Sequence, residues 1–310
     1  MESKGARMSA TTTTRVPPAP GTPEWARVVS ASKVAGIIGL SPWESPRSIW
    51  HLLRGEIPSD DGKNQDVKSR GHYLENGILS WWQDRHPELK RVRRQWYAEL
   101  GAWAAATPDA AAWPVLRPKA GRAPAVVVDA KTSRDDDAWG TPGTDEVPAY
   151  YAAQTQWQMH VTGARVGYIA LLTTRLDLRE YRIDYDADTA QGLERIAYAF
   201  YLSTLDDAAA PPLDDHVATF DTLKRLHPDI EADSQVEIDE AMARAFVDAQ
   251  AAKRQAEAAE RAAKSALLDA MGDTRLAVWN GITVARRQGN RSGVSLVGVA
   301  KTIEPKEQDL

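Results

Sequence analysis

The sequence predicts an α/β protein: a mixed central sheet flanked by helices, followed by a long C-terminal helix and a β-hairpin. Val126-Val127-Val128 and Gly167-Tyr168-Ile169-Ala170-Leu171-Leu172-Thr173 are short, continuous apolar runs, as expected of strands buried on both faces. Between them, residues 149–161 begin just past Pro148, contain no Gly or Pro and carry apolar side chains at helical spacing. Residues 237–271 also lack Gly and Pro and are dense in Ala, Glu, Lys and Arg, so one long helix accounts for them.

Taken in order, residues 1–22 hold the Thr11-Thr12-Thr13-Thr14 run and Pro17, Pro18 and Pro20, with Pro23 following, and should form a disordered tail. Helices are expected around 30–38, 45–54 and 70–85, the last with Leu74, Ile78, Trp81 and Trp82 as its apolar stripe. Strands are expected near 92–100, 124–131, 166–174 and 178–185. The last of these, Leu178-Arg179-Glu180-Tyr181-Arg182-Ile183-Asp184-Tyr185, alternates like a half-exposed strand. A helix over 188–205 closes a first domain, 23–207, and the Asp, Ala and Pro run at 206–212 reads as a linker to a C-terminal unit, 208–310. In that unit Ile238, Met242, Ala245, Ala249, Ala252, Ala256, Ala259, Ala263, Ala266 and Ala270 alternate four and three apart, a heptad seam lined mostly by alanine. Gly272 ends the helix, and Asn280-Gly281 between two apolar runs predicts a hairpin with a primed turn; Val294 to Val299 adds a further strand.

The chemistry concentrates between Pro108-Asp109 and Asp129-Ala130-Lys131. Side chains two apart in a strand share a face, so Asp129 and Lys131 leave the end of the Val126-Val127-Val128 strand side by side. An aspartate and a lysine are costly to bury there unless they pair or hold a metal. Carboxylate oxygens are hard ligands suited to Mg²⁺ or Mn²⁺, and a lysine beside them can orient or deprotonate an attacking water or neutralise charge in a phosphoryl transition state. The plain alternative is an exposed ion pair worth less than about 1 kcal/mol. Glu75, beside the apolar stripe of the 70–85 helix, is either a solvated face residue or a third carboxylate. On the 149–161 helix, Tyr151, Gln154 and Gln158 fall on one face, opposite Ala153, Trp157 and Val161; the glutamines are either suited to contact a phosphate or orient the lysine or, in the ordinary explanation, simply exposed.

These residues carry a family resemblance. Gly71-x-x-x-Glu75, Pro108-Asp109, Asp129-x-Lys131 and the run from Tyr151 through Gln154, Gln156, Gln158 and Met159 to Val161-Thr162-Gly163 resemble, in that order, the YqaJ-like viral recombinase family. That family includes the phage lambda exonuclease and lies within the PD-(D/E)XK nuclease superfamily. The resemblance extends to residues 25–39 and to Ser41-Pro42-Trp43, and covers roughly 24–205. It implies a PD-(D/E)XK core in the first domain. It also implies a double-stranded DNA exonuclease that degrades one strand 5′ to 3′ and leaves 3′ single strands for an annealing protein in phage-type homologous recombination. Asp109, Asp129 and the Ala130 carbonyl would bind one Mg²⁺ or Mn²⁺ ion and Glu75 a second. Lys131 would position the nucleophile and Gln154 would sit against the active site. Arg27 and Ser32 would meet the 5′ phosphate, with Tyr151 and Gln158 toward the DNA. A homo-oligomer, a trimeric ring, is implied as well. The sequence departs from many relatives in carrying Asp129 where they have Glu, and in the separation of twenty positions from Asp109 to Asp129, where residues 113–122 would form an extended hairpin. A structure-specific endonuclease or resolvase on the same core, or a non-catalytic protein that binds DNA ends, are the alternative functions.

Composition agrees with these readings. Zero cysteines exclude disulfides, thiolate zinc sites and thiolate-bound iron–sulfur clusters, which argues against the cluster-bearing branches of that superfamily. No apolar run approaches the roughly 20 residues needed to span a bilayer, and the N-terminus lacks a signal pattern, so a cytoplasmic phage or prophage protein in a bacterial host is expected. The net charge of −5 requires any DNA contact to be local. Arg85, Lys90, Arg91, Arg93 and Arg94 form one basic cluster, and Arg117, Lys119 and Arg122 another.

Overall fold

The structure is a computed structural model that describes residues 22–58, 65–92, 98–101, 103–116, 123–133, 136–206, 208–291 and 293–300. Residues 1–21 of the tail expected at 1–22, and the basic residues Arg93, Arg94, Arg117, Lys119 and Arg122, lie outside the described residues, while Thr22 caps the helix Pro23–Ala26.

The chain opens with α1 (Pro23–Ala26), β1 (Val29–Ser30), α2 (Ala31–Ile37) and α3 (Pro46–Arg54). Ser45 and Ser48 cap α3 reciprocally, each side chain satisfying the other's backbone N–H. There follow α4 (Gln65–Arg85), β2 (Leu89–Arg91), β3 (Ala98–Leu100), β4 (Ala104–Ala106), β5 (Ala110–Pro114), β6 (Val126–Thr132), α5 (Ala149–Thr162), β7 (Val166–Leu172), β8 (Leu178–Asp184), α6 (Ala187–Ser203) and α7 (Val217–Leu226). The main sheet runs β2-β5-β6-β7-β8, with β6 and β7 parallel and the other neighbours antiparallel, so the expected mixed sheet is present. A smaller sheet, β1-β4-β3, lies beside α2 and α5.

Helix α5 is the parallel crossover between β6 and β7 and the central packing element. Its Trp157 and Val161 enter a core with α2, α3, β1, β4 and α6, while Met159 packs on Val127, Ile169 and Tyr181 of the main sheet. Gly167 permits this approach, because a Cβ there would stand 2.2 Å from Thr155 Cγ2. Helix α4 covers the opposite face through Ile78, Leu79 and Trp82 against Val126, Val128 and Ala170. Its buried stripe is displaced from the expected one: Leu74 and Trp81 are exposed, and Arg85 lies over the Trp81 ring.

Two features depart from the sequence reading. Strands β4 and β5 are rich in alanine, which has weak strand preference, and all of those alanines are buried. The segment after residue 206 is docked rather than free. Arg47 donates to the Pro211 carbonyl (2.6 Å), His216 Nε2 meets the Ser41 carbonyl (3.1 Å), and Thr219 donates to Ser45 Oγ (2.7 Å). The first compact unit therefore runs to Ile230 and the second starts at Glu231, later than the boundary expected after residue 207.

The second unit contains α8 (Glu240–Met271), β9 (Leu276–Trp279), β10 (Ile282–Asn290) and β11 (Gly293–Gly298) in the order β11-β10-β9. Asn280 and Gly281 both take positive φ (45° and 78°), as the expected primed turn requires. Of α8 only Met271 is buried, so its alanine seam faces outward within the unit.

Candidate active site

The strand that follows Asp109 pairs with the strand that carries Asp129, so the long separation in sequence does not keep the two carboxylates apart. Strands β5 and β6 pair antiparallel with Ala110 opposite Val128, so the next residue on each strand brings Asp109 to Asp129. Asp109 Oδ2 accepts the Ala130 N–H at 2.8 Å, which ties its carboxylate to the backbone unit whose carbonyl was the expected further metal ligand.

Asp129 is buried, with 2% exposure, and each of its oxygens is held. Gln158 Nε2 donates to Oδ1 (2.8 Å), while Gln154 Nε2 (2.5 Å) and Lys131 Nζ (3.0 Å) converge on Oδ2. These bonds follow from the sequence spacing. Gln154 and Gln158 are four apart on α5, hence on one face, and β6 presents Asp129 to that face. Gln158, expected to face DNA, is instead 2% exposed and acts on Asp129; its Oε1 is buried without a hydrogen-bond partner. Tyr151, one turn earlier on the same face, sets its ring 5.2 Å from Lys131 Nζ.

The electrostatics show a deficit of positive charge. Burial and then Asp129 push the Asp109 carboxyl up to about 7; Lys131 opposes them, Glu75 adds a smaller push, and the Ala130 N–H opposes least. At Lys131 burial alone would lower the ammonium's pKa, but Asp129 and Asp109 outweigh it and hold the group well above its usual value. The two carboxylates thus favour the charged form of Lys131. Glu75 is half-buried on α4, near enough to act on Asp109, with His72 Nδ1 3.9 Å from its Oε2.

Among the described residues no three His, Asp or Glu side chains converge into a ready-made metal cage. The donor set nevertheless fits a hard divalent cation. Asp109, Asp129, the Ala130 carbonyl and Glu75 are all oxygen donors, burial and Asp129 disfavour a bare charge on Asp109, and Mg²⁺ commonly takes only one or two carboxylates and completes its shell with water and phosphate.

The contacts seen for the other two expected residues are with their own neighbourhood. Arg27 is exposed, with its guanidinium beside Gly55, and lines a cavity of about 390 Å³ with Pro23, Ala26, Gly55, Glu56, Ile57 and Pro58. Ser32 is exposed at the start of α2, 3.1 Å from Ser30 Oγ. Sequence reasoning missed Lys33, whose buried ammonium donates to the carbonyls of Trp25, Ala26 and Val28 (2.8, 2.8 and 2.6 Å) and fixes the segment that carries Arg27. It also missed the aromatic surround: Trp139 stacks on Tyr151 (5.4 Å), and Trp43 lies against Tyr150 (5.0 Å) and Tyr151 (6.2 Å). A lysine in an apolar helix, and a tryptophan within the Ser41-Pro42-Trp43 motif, were the available signals.

Residues 25–165 match the family model of the YqaJ-like viral recombinase domain, so the resemblance carried by the motifs holds over the segment that contains Glu75, Asp109, Asp129, Lys131 and Gln154. Among solved structures the chain is similar to an alkaline exonuclease from Laribacter hongkongensis, at 18% identity over 59% of this chain and 93% of that one, with a TM-score of 0.42. The same exonuclease in complex with dAMP aligns over 66% and 94%, with a TM-score of 0.43. A phage-related exonuclease from Haemophilus somnus 129PT is similar at 15% identity over 58% and 96%, with a TM-score of 0.40. No curated protein matches the chain. Among the described residues no helix is long and apolar enough to cross a membrane.

Proposed function

We propose that the chain is a metal-dependent exonuclease on double-stranded DNA, degrading one strand from a 5′ end and leaving a 3′ single strand for an annealing protein during phage-type recombination. The observation that carries this reading is the meeting of Asp109 and Asp129 across one hairpin, with Lys131 on Asp129 and two glutamines fixing the same carboxylate. Polarity, the annealing partner, action as a ring-shaped homo-oligomer and the cytoplasmic setting rest on the family resemblance.

Mg²⁺ or Mn²⁺, one ion with Asp109, Asp129 and the Ala130 carbonyl and a second with Glu75, would polarise the scissile phosphate and acidify the attacking water. The remaining work belongs to the chain. Gln154 and Gln158 hold the Asp129 carboxylate in one orientation, so its geometry need not reorganise when phosphate arrives. Lys131, charged and pinned, opposes the negative charge that grows on the phosphoryl oxygens and orients the water. Tyr151 and Trp139 wall this side of the site with apolar surface, which strengthens those interactions.

The test is digestion of one plasmid in linear and covalently closed form, with Mg²⁺ and with chelator. Loss of the linear form alone, and only with metal, is expected. Cleavage of closed circles would make the protein an endonuclease.

A further inference from the structure

Trp43 is 60% exposed, whereas Trp50, Trp82, Trp113, Trp139 and Trp157 are each 8% exposed or less. It stands on a short loop between α2 and α3 that is held from several sides. Ser41 Oγ accepts the backbone N–H groups of both Trp43 and Glu44 (3.1 Å each), and the Ser41 carbonyl meets His216 Nε2. The Glu44 carboxylate accepts from Ser48 Oγ (2.8 Å), itself part of the α3 cap. An indole presented to solvent on a loop this well tied is already ordered before anything binds, so little side-chain freedom remains to be lost.

Its neighbours lead inward. The Trp43 ring meets Tyr150 edge-on (5.0 Å, 80°) and lies 6.2 Å from Tyr151, whose own ring is 5.2 Å from Lys131 Nζ, with Lys131 bound to Asp129. An aromatic row thus runs from solvent to Lys131, with Tyr151 between Trp43 and the lysine that is bound to Asp129. A largely exposed indole beside a candidate phosphate-cleaving site matches the other part of a nucleotide, because every base has a π-face and stacking on an aromatic is tolerant of sequence.

We propose that Trp43, backed by Tyr150, is a stacking surface for an unpaired nucleobase of the strand whose phosphate lies at Asp109 and Asp129. The inference rests on the nuclease reading above and adds a site for the base. Such a contact holds one nucleotide of the strand in register for cleavage and does so for any base, as a non-specific exonuclease requires.

The experiment is a cycle between protein and substrate, with the full chain. An abasic position is walked one nucleotide at a time through the end of a linear duplex, and wild type, Trp43→Ala and Trp43→Phe are compared in cleavage with Mg²⁺ and in binding with chelator. At one position the wild type should lose roughly tenfold in KM and in affinity on base removal, Trp43→Ala should show the same loss on intact DNA, and the two losses should not add. Trp43→Phe should recover most of the loss. Additive losses, or no position at which wild type is more sensitive than Trp43→Ala, would overturn the proposal. So would Trp43→Ala altering only self-association, which would mark a contact between copies. If Trp43→Ala does not fold, the abasic walk on wild type and Trp43→Phe decides alone: absence of a sensitive position overturns it. Wild type that binds DNA with a sensitive position but never cleaves would instead refute the nuclease reading.

Discussion

Asp109→Asn should make the metal-free protein more stable at pH 8, although it removes a residue of the candidate site. In the folded chain the Asp109 carboxyl is held at about 7, against an ordinary value of 3.8, first by burial and then by Asp129 and Glu75. Above both values, ionising it inside the fold costs about 4 kcal/mol, at 1.36 kcal/mol per pH unit. Asparagine removes that cost but weakens the bond from the Ala130 N–H, now to a neutral oxygen, by about 1 kcal/mol. The net expectation is a gain of roughly 2–3 kcal/mol. The pH dependence has a definite sign. Between pH 3.8 and 7 the folded chain binds more protons here than the unfolded chain, so wild-type stability attributable to Asp109 falls as pH rises through that window and levels off above it. The asparagine side chain does not titrate, so the advantage of the variant should shrink as pH is lowered from 8 toward 4. Urea unfolding in chelator at several pH values measures this, and Mg²⁺ should raise the stability of wild type and leave the variant unmoved. A variant less stable than wild type at pH 8, or a difference independent of pH, would refute the reasoning.

Gln154→Ala should lower turnover roughly 10- to 100-fold with little change in duplex affinity, since it frees Asp129 Oδ2 from its positioning bond; kcat and KM measured separately decide this. Lys33→Met should destabilise the fold by roughly 1–3 kcal/mol, because three carbonyls lose their donor, as denaturant unfolding would register. If Arg27 anchors a 5′ phosphate, phosphorylated ends should be degraded faster than hydroxyl ends, and Arg27→Ala should erase the difference in a direct rate comparison.

The strands most legible in the sequence were those whose burial shows as Val, Ile and Leu runs, β6 and β7, and the alternating β8. Strands β4 and β5 were not legible, because alanine reports neither alternation nor strand preference, and its fitness there depends on helices α4 and α5 closing over the sheet. The pairing of Asp109 with Asp129 was legible as motif order, but its geometry follows from the register of β5 on β6, which no local pattern specifies. Likewise the glutamine face of α5 was readable from spacing. That Gln158 would turn inward to Asp129 depends on where the crossover sets the helix against β6. Docking of residues 208–230 was hidden for a similar reason: the polar side chains of His216 and Thr219 look like linker chemistry until the cap of α3 is beside them.

The central claim is that Asp109, Asp129 and Lys131 form a metal-dependent phosphodiesterase site acting from a DNA end. Time-resolved digestion of a linear duplex labelled at one 5′ or one 3′ end, with wild type and Lys131→Ala in Mg²⁺ and in chelator, tests it most directly. Wild type in Mg²⁺ alone should release the 5′ label early, with Lys131→Ala silent while its duplex affinity stays within about tenfold. Label release that persists in chelator, or undiminished turnover by Lys131→Ala, would contradict it.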